Sequence, residues 1–238
     1  MAITAQEVNK LRQMTGAGMM DCKKALVEAD GDFDKAIEVL RKKGQKLSEK
    51  RADRATNEGS VYVRTSEDGS EAILVTLTCE TDFVAKNADF QSLGNEIADA
   101  AMASKPADVA ALKALSLGEQ TVHEKVTEYV GKIGEKLDIT KYEILSGDQI
   151  VSYIHSTGKL GVLVALKGVN GADVSEAGKD VAMQIAAMSP VAVDKDGVDS
   201  TVVEKEIEIG KDQARQEGKP EAMLEKIAMG KLNKFYKE

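Results

Sequence analysis

Leu77-Thr78-Cys79-Glu80-Thr81-Asp82-Phe83-Val84-Ala85-Lys86-Asn87 is the stretch around which the chain is organised. Just before it, Ile73, Val75 and Leu77 alternate in a β-branched-rich run, which predicts an arriving strand. Just after it, Phe90, Leu93, Ile97 and Ala101 recur at spacings of three and four, which predicts a departing helix. Thr81-Asp82-Phe83-Val84 sits on the join. A strand-to-helix connection is a place where a rigid scaffold can hold out a functional side chain. In the plain alternative, Asp82 caps the helix and Phe83 folds back into the core.

Working outward, residues 60–64 and 72–77 read as strands around Ser66-Glu67-Asp68-Gly69-Ser70, a hairpin turn signal. Downstream, Pro106 closes the first helix. Residues 107–137 read as helical, with Val122, Val126, Val130, Ile133 and Leu137 on one face, and residues 141–145 read as a third strand. The plan then repeats, with strands at 151–155 and 161–166 and a helix at 178–190. Val162 stands 89 residues after Ile73, whereas Gly178 stands 84 after Gly94. The copies therefore differ by five residues, and the difference falls at Thr81-Asp82-Phe83-Val84. A longer, aromatic-tipped turn in one copy alone favours an exposed functional tip.

The N-terminal residues predict three short helices. Thr4 and Glu7 form a capping box ahead of Val8 and Leu11, and Gly16 and Gly18 end that helix. Asp21 starts the second helix, with Ala25, Leu26 and Ala29. Asp32 caps the third, with Phe33, Ala36, Ile37 and Leu40 inward, and Gly44 ends it. About 40 residues make a small core, so this unit reads as a docking module. Met19 and Met20 suit either adaptable external contact or the filling of that core. Residues 41–54 hold seven basic and two acidic residues and read as a solvated, partly helical linker rather than a nucleic-acid patch.

Residues 199–236 predict a helical hairpin. Val203, Ile207 and Ala214 line one arm, Leu224, Ala228, Lys231 and Phe235 the other, and Gly218-Lys219-Pro220 turns the chain. The boundaries expected are 1–45 for the helical domain, 46–56 for the linker, 57–146 and 147–198 for two related sheet subdomains, and 199–238 for the hairpin. The class is α+β.

Composition narrows the function. The 238 residues carry 32 basic and 40 acidic side chains, a net charge of −8, and only 4% aromatics with no Trp. That opposes nucleic acid as the main partner, because phosphate binding needs a clustered basic face and base stacking needs aromatic platforms. No apolar run approaches the roughly 18 residues of a membrane span, and the N-terminus lacks the pattern of a signal peptide. Two cysteines without metal-site spacing fit a reduced, cytoplasmic setting.

Chemistry of the chain's own is hard to find. No phosphate-cradling Gly-rich loop is present, so direct nucleotide binding is not expected, and neither is a cofactor or metal. His123 reads as a surface helix residue. His155, at a strand end before Ser156-Thr157-Gly158-Lys159, is open between an exposed contact and no special role.

The sequence resembles the bacterial elongation factor Ts family. The resemblance rests on Thr15-Gly16-Ala17-Gly18-Met19-Met20-Asp21-Cys22-Lys23-Lys24-Ala25-Leu26 and Cys79-Glu80-Thr81-Asp82-Phe83-Val84-Ala85-Lys86-Asn87, and it covers essentially the whole chain. It implies an N-terminal three-helix domain of the ubiquitin-associated (UBA-like) type, a core of two related antiparallel sheet-and-helix subdomains, and a protruding antiparallel coiled coil. It further implies guanine-nucleotide exchange on elongation factor Tu, as a binding protein rather than an enzyme. Asp82 and Phe83 are then expected beside the Mg²⁺ and phosphate site of that partner, with Thr81 and Val84 shaping the tip. Arg12, Met19 and Met20, Ile133 and Gly134, and His155 match further partner contacts; Asn9 departs from the family's basic residue. Family members with both subdomains continue past the residues matching 234–238 with a further strand-bearing segment. A chain shortened there would leave its second sheet with an exposed edge.

Two other classes compete. A peptide-binding adaptor would rest on the three N-terminal helices alone. A small-molecule enzyme would need Cys79, Asp82 and His155 to act together, and no spacing supports that.

Overall fold

The computed structural model describes residues 3–237. Among them, one compact unit ends at Ala182 and a second begins at Met183. The class is mixed α+β, with helices and small antiparallel sheets.

The first unit opens with α1 (Ala5–Thr15), α2 (Met19–Glu28) and α3 (Phe33–Lys50). The Thr4 hydroxyl accepts from the Glu7 N–H at 3.2 Å, and the Glu7 carboxylate accepts from the Thr4 N–H at 2.7 Å, which completes the capping box. Leu11, Cys22, Leu26 and Ala36 are fully buried between the three helices. Two expectations change. The second helix starts at Met19 rather than Asp21, which puts both methionines in its exposed first turn. The third does not stop at Gly44 but runs on to Lys50, so much of the supposed linker is helix.

The chain continues through β1 (Glu58–Thr65), β2 (Glu71–Cys79), the single-turn α4 (Asp82–Ala85) and α5 (Ala88–Ser104). It then passes α6 (Val109–Ala114), a small ribbon of β3 (Ser116–Leu117) and β4 (Gln120–Thr121), α7 (Val122–Ile133) and β5 (Leu137–Ser146). A single helical stretch over 107–137 was expected. It is broken because Gly118 turns the ribbon at φ +72° and Gly134 ends α7 at φ +81°, so Leu137 becomes the first residue of a strand. Gly44 of α3 lies where that helix crosses α7; a Cβ added at Gly131 would fall 2.9 Å from the Gly44 Cα.

β1, β2 and β5 form an antiparallel sheet in the order β1-β2-β5. Thr76 pairs with Lys141 and Leu77 with Ile139, so Thr140 is an extra residue in β5. This bulge lets both Ile139 and Tyr142 face the core. Ile73, Val75 and Leu77 of β2 meet Phe90, Leu93, Ile97 and Ala101 of α5, all fully buried.

The internal repeat is present as β6 (Gln149–Ile154), β7 (Gly161–Leu166) and α8 (Ser175–Met188). The β6–β7 pair rests on the sheet face opposite α5, where Gly161 lets the backbone approach the side chains of Val61 and Leu74. Gly94 packs on Tyr62 of β1, and Gly178 packs on Val151 of β6. Those pairs are related by the same offsets of 84 and 89 residues that the sequence shows. The five extra residues of the first copy are present but extend its elements. By the strand register, β2 runs two residues past the equivalent of the β7 end, and α5 starts three residues before the equivalent of the α8 start. The connections themselves, 80–87 and 167–174, are equally long. The difference is one of content: only the first connection contains a helical turn. The second sheet has two strands among the described residues, against three in the first.

In the second unit, α9 (Ser200–Gln216) and α10 (Glu221–Phe235) pack as an antiparallel pair joined at Gly218. Gly210, Ala214, Leu224, Ala228 and Leu232 form the buried seam. Lys231, expected on that seam, instead pairs with Glu217 at 3.3 Å, and Leu232 takes its place.

Candidate functional site

The connection from β2 to α5 is built from its caps upward. Thr81 is the N-cap of α4, with extended backbone and a hydroxyl that accepts from the Val84 N–H at 3.4 Å. Asn87 caps α5 in the same way, accepting from the Asp89 N–H at 2.8 Å. Between the caps, Ala85 is buried and Val84 packs on the edge of the main core. Phe83 points away, with 82% of its surface exposed. A fully apolar ring so open to water is unusual for a phenylalanine, and it rules out the arrangement with Phe83 in the core. Asp82 is the first residue of α4 rather than its cap.

Two carboxylates, Glu135 from the segment after α7 and Glu80 from the connection itself, tie the two segments together. Glu135 accepts from the Thr81 N–H at 3.0 Å and from the Thr81 hydroxyl at 2.7 Å. Glu80 accepts from the Lys136 N–H at 2.7 Å and from Arg51 and Arg54 at 2.8 Å each. Burial alone would raise the Glu80 carboxyl, but the Lys136 N–H and the two guanidinium groups outweigh it and hold it at about 2. At the tip itself, Lys86 donates to Asp82 at 2.8 Å. That hydrogen bond, against slight desolvation and with the Lys86 and Lys159 charges, keeps the exposed Asp82 carboxyl below its usual range.

The expected contact residues fall along a chain of neighbours in the first unit. Ile133 and Gly134 end α7 and lead directly into Glu135, which places them beside the tip. Lys132, one residue earlier, lies against Gly16 of the loop between α1 and α2. That loop is flanked by Arg12, Met19 and Met20, all exposed; the two methionines are 55% and 63% exposed, so they do not plug the helical core. On the other side, Lys159 pairs with Glu58 of β1, and the Val61 N–H donates to the Gly158 carbonyl at 2.8 Å. His155 lies on this same hairpin, exposed, with its Nδ1 2.9 Å from the Tyr153 hydroxyl. Cys79, Asp82 and His155 are not arranged as a catalytic group. Cys79 is buried beneath the turn with its thiol pushed up to about 12, chiefly by burial, so it offers no thiolate.

A family model described as "Elongation factor TS" matches residues 80–238. The chain is 62% identical over 237 residues to elongation factor Ts of Cytophaga hutchinsonii, covering 99% of this chain and 85% of that one. It is 57% identical to elongation factor Ts of Amoebophilus asiaticus, over 100% of this chain and 86% of the other. Elongation factor Ts of Porphyromonas gingivalis is 47% identical, over 100% and 85% respectively. The chain belongs to the elongation factor Ts family.

Membership in the elongation factor Ts family places the chain in translation and protein biosynthesis. No helix among the described residues is long and apolar enough to cross a membrane. Glu80 and Glu135 were not picked out by sequence reasoning. Their partners stand 26 to 56 residues away, and a single glutamate carries no periodic signal.

Proposed function

We propose that the chain is a guanine-nucleotide exchange factor for elongation factor Tu, acting through the tip formed by Thr81, Asp82, Phe83 and Val84. The exposure of Phe83 on a capped, clamped turn is the observation that carries this reading. The partner's Mg²⁺ demands near-ideal octahedral geometry and helps to neutralise the nucleotide phosphates. A Phe ring wedged beside that site, with the Asp82 carboxylate next to it, disturbs the groups that hold ion and phosphate. Burying the ring contributes about 1.5–3 kcal/mol toward the disturbed state.

Exchange needs no covalent step and no cofactor, so the chain is not an enzyme in its own right. It accelerates release by binding nucleotide-free elongation factor Tu more tightly than the GDP-bound form. By linkage, GDP and the exchange factor weaken each other equally, and each tenfold requires about 1.4 kcal/mol. Arg12, Met19 and Met20, Ile133 and Gly134, and His155 extend the contact on either side of the tip. We read the three N-terminal helices as a UBA-like docking domain that extends past the expected boundary at 45 to the end of α3 at Lys50, which leaves a linker shorter than the expected 46–56. Two core subdomains at 57–146 and 147–198 and a coiled coil at 199–238 complete the plan, in a cytoplasmic protein.

Gel filtration with elongation factor Tu tests the reading. The chain should form a stable complex with the nucleotide-free partner, and added GDP should dissolve it. A complex that persists unchanged in excess GDP would contradict exchange.

A further inference from the structure

Thr81 has every polar group engaged. Its N–H and hydroxyl both donate to Glu135. Its carbonyl accepts from the Cys79 thiol at 3.1 Å and from the Ala85 N–H at 3.2 Å. A hydroxyl has one proton and two acceptor sites. With the proton directed at Glu135, a lone pair is left to face the Val84 N–H, which is what an N-cap must do. A four-residue helix is far too short to hold itself together. The direction of α4 is therefore set by its cap together with the packing of Val84 and Ala85, and the cap is held by Glu135.

We propose that Glu135 is a positioning residue for nucleotide exchange: through Thr81, it sets the direction in which Asp82 and Phe83 are presented. The inference rests on the exchange reading above. The neighbouring bond from the Lys136 N–H to Glu80 joins the same two segments in the opposite sense. Removing the Glu135 carboxylate therefore leaves those segments tied together and frees Thr81 alone. The core beneath, from Leu77 to Phe90 and Val130, does not involve Glu135.

The test measures release of a fluorescent GDP analogue from elongation factor Tu across a range of chain concentrations, with melting temperatures taken alongside. Wild type, Phe83→Ala, Glu135→Ala and the double variant are compared. Glu135→Ala should lower the maximal release rate about tenfold, the factor that roughly 1.4 kcal/mol represents. Its half-saturating concentration should stay within about twofold, because the remaining contacts are unaltered. In the Phe83→Ala background the same change should cost less than about twofold, since little is left to position. Glu135→Gln keeps one acceptor oxygen and should lose about threefold; it carries the test if the alanine variant does not fold.

A wild-type maximal rate in both Glu135 variants would overturn the proposal while leaving exchange intact. So would an equal loss in both backgrounds accompanied by a lowered melting temperature, which is the mark of a purely structural role. A wild type that accelerates no release overturns the exchange reading, and this inference with it.

Discussion

Gly94 of α5 packs against the ring of Tyr62, so close that an added Cβ would stand 2.0 Å from the Tyr62 Cζ. The ring is buried and cannot swing aside without displacing the core. Overpacking of this kind costs about 1–3 kcal/mol, against about 1 kcal/mol gained in helix propensity from Gly to Ala. Gly94→Ala should therefore lower the stability by up to about 2 kcal/mol in urea unfolding. A Cβ added at Gly230 of α10 would meet no neighbouring element within 4 Å, so Gly230→Ala should be neutral or stabilising. Equal effects at the two positions would contradict the close approach.

The two phenylalanines near the tip, Phe83 in α4 and Phe90 in α5, should behave oppositely. Phe90 is fully buried and Phe83 is 82% exposed. Phe90→Ala should cost about 3–5 kcal/mol, whereas Phe83→Ala should change stability by no more than about 0.5 kcal/mol. Denaturant midpoints of the two variants check this. A large loss for Phe83→Ala would return its ring to the core.

Acid should expose the Glu80 clamp. Its carboxyl is held at about 2 in the folded chain, against an ordinary value of 4.5. Folding stabilised by its ionised form is fully present above about pH 4.5 and is lost as the pH falls toward about 2. Glu80→Gln should be less stable than wild type near neutrality, and the gap should close over that window. Melting curves followed down in pH decide the matter; a gap that stays constant would mean the Glu80 charge is not what ties 80 to 136.

Thiol chemistry reports on the base of the turn. Cys22 and Cys79 are both fully buried, and burial together with the Glu135 and Glu58 charges raises the Cys79 thiol to about 12. Neither should react with a disulfide reagent at neutral pH in the native chain, and both should react once denatured. Prompt native labelling of Cys79 would show an open connection under the tip.

Much of this structure follows from local pattern. The stripe Phe90, Leu93, Ile97 and Ala101, the hairpin turn at 66–70 and the Thr4–Glu7 box act within a few residues, so the sequence displays them directly. The repeat was legible because glycine is demanded at equivalent positions, Gly94 against Tyr62 and Gly178 against Val151. Gly44 misled because a glycine that ends a helix and one that admits a neighbouring helix look alike until Gly131 is seen opposite it. The β3–β4 ribbon is too short to show a period, and the bulge at Thr140 hides where β5 begins. At the tip, the exposed Phe83 could be argued from sequence. The Glu80 and Glu135 clamps could not, since they depend on two distant segments being brought side by side.

The most direct test of the central claim is the rate of release of a fluorescent GDP analogue from elongation factor Tu in excess Mg²⁺, with wild type and with Phe83→Ala. Release should be strongly accelerated by wild type. Phe83→Ala should lose most of that acceleration while still binding the nucleotide-free partner. Equal acceleration by the two proteins would contradict exchange through the Phe83 tip.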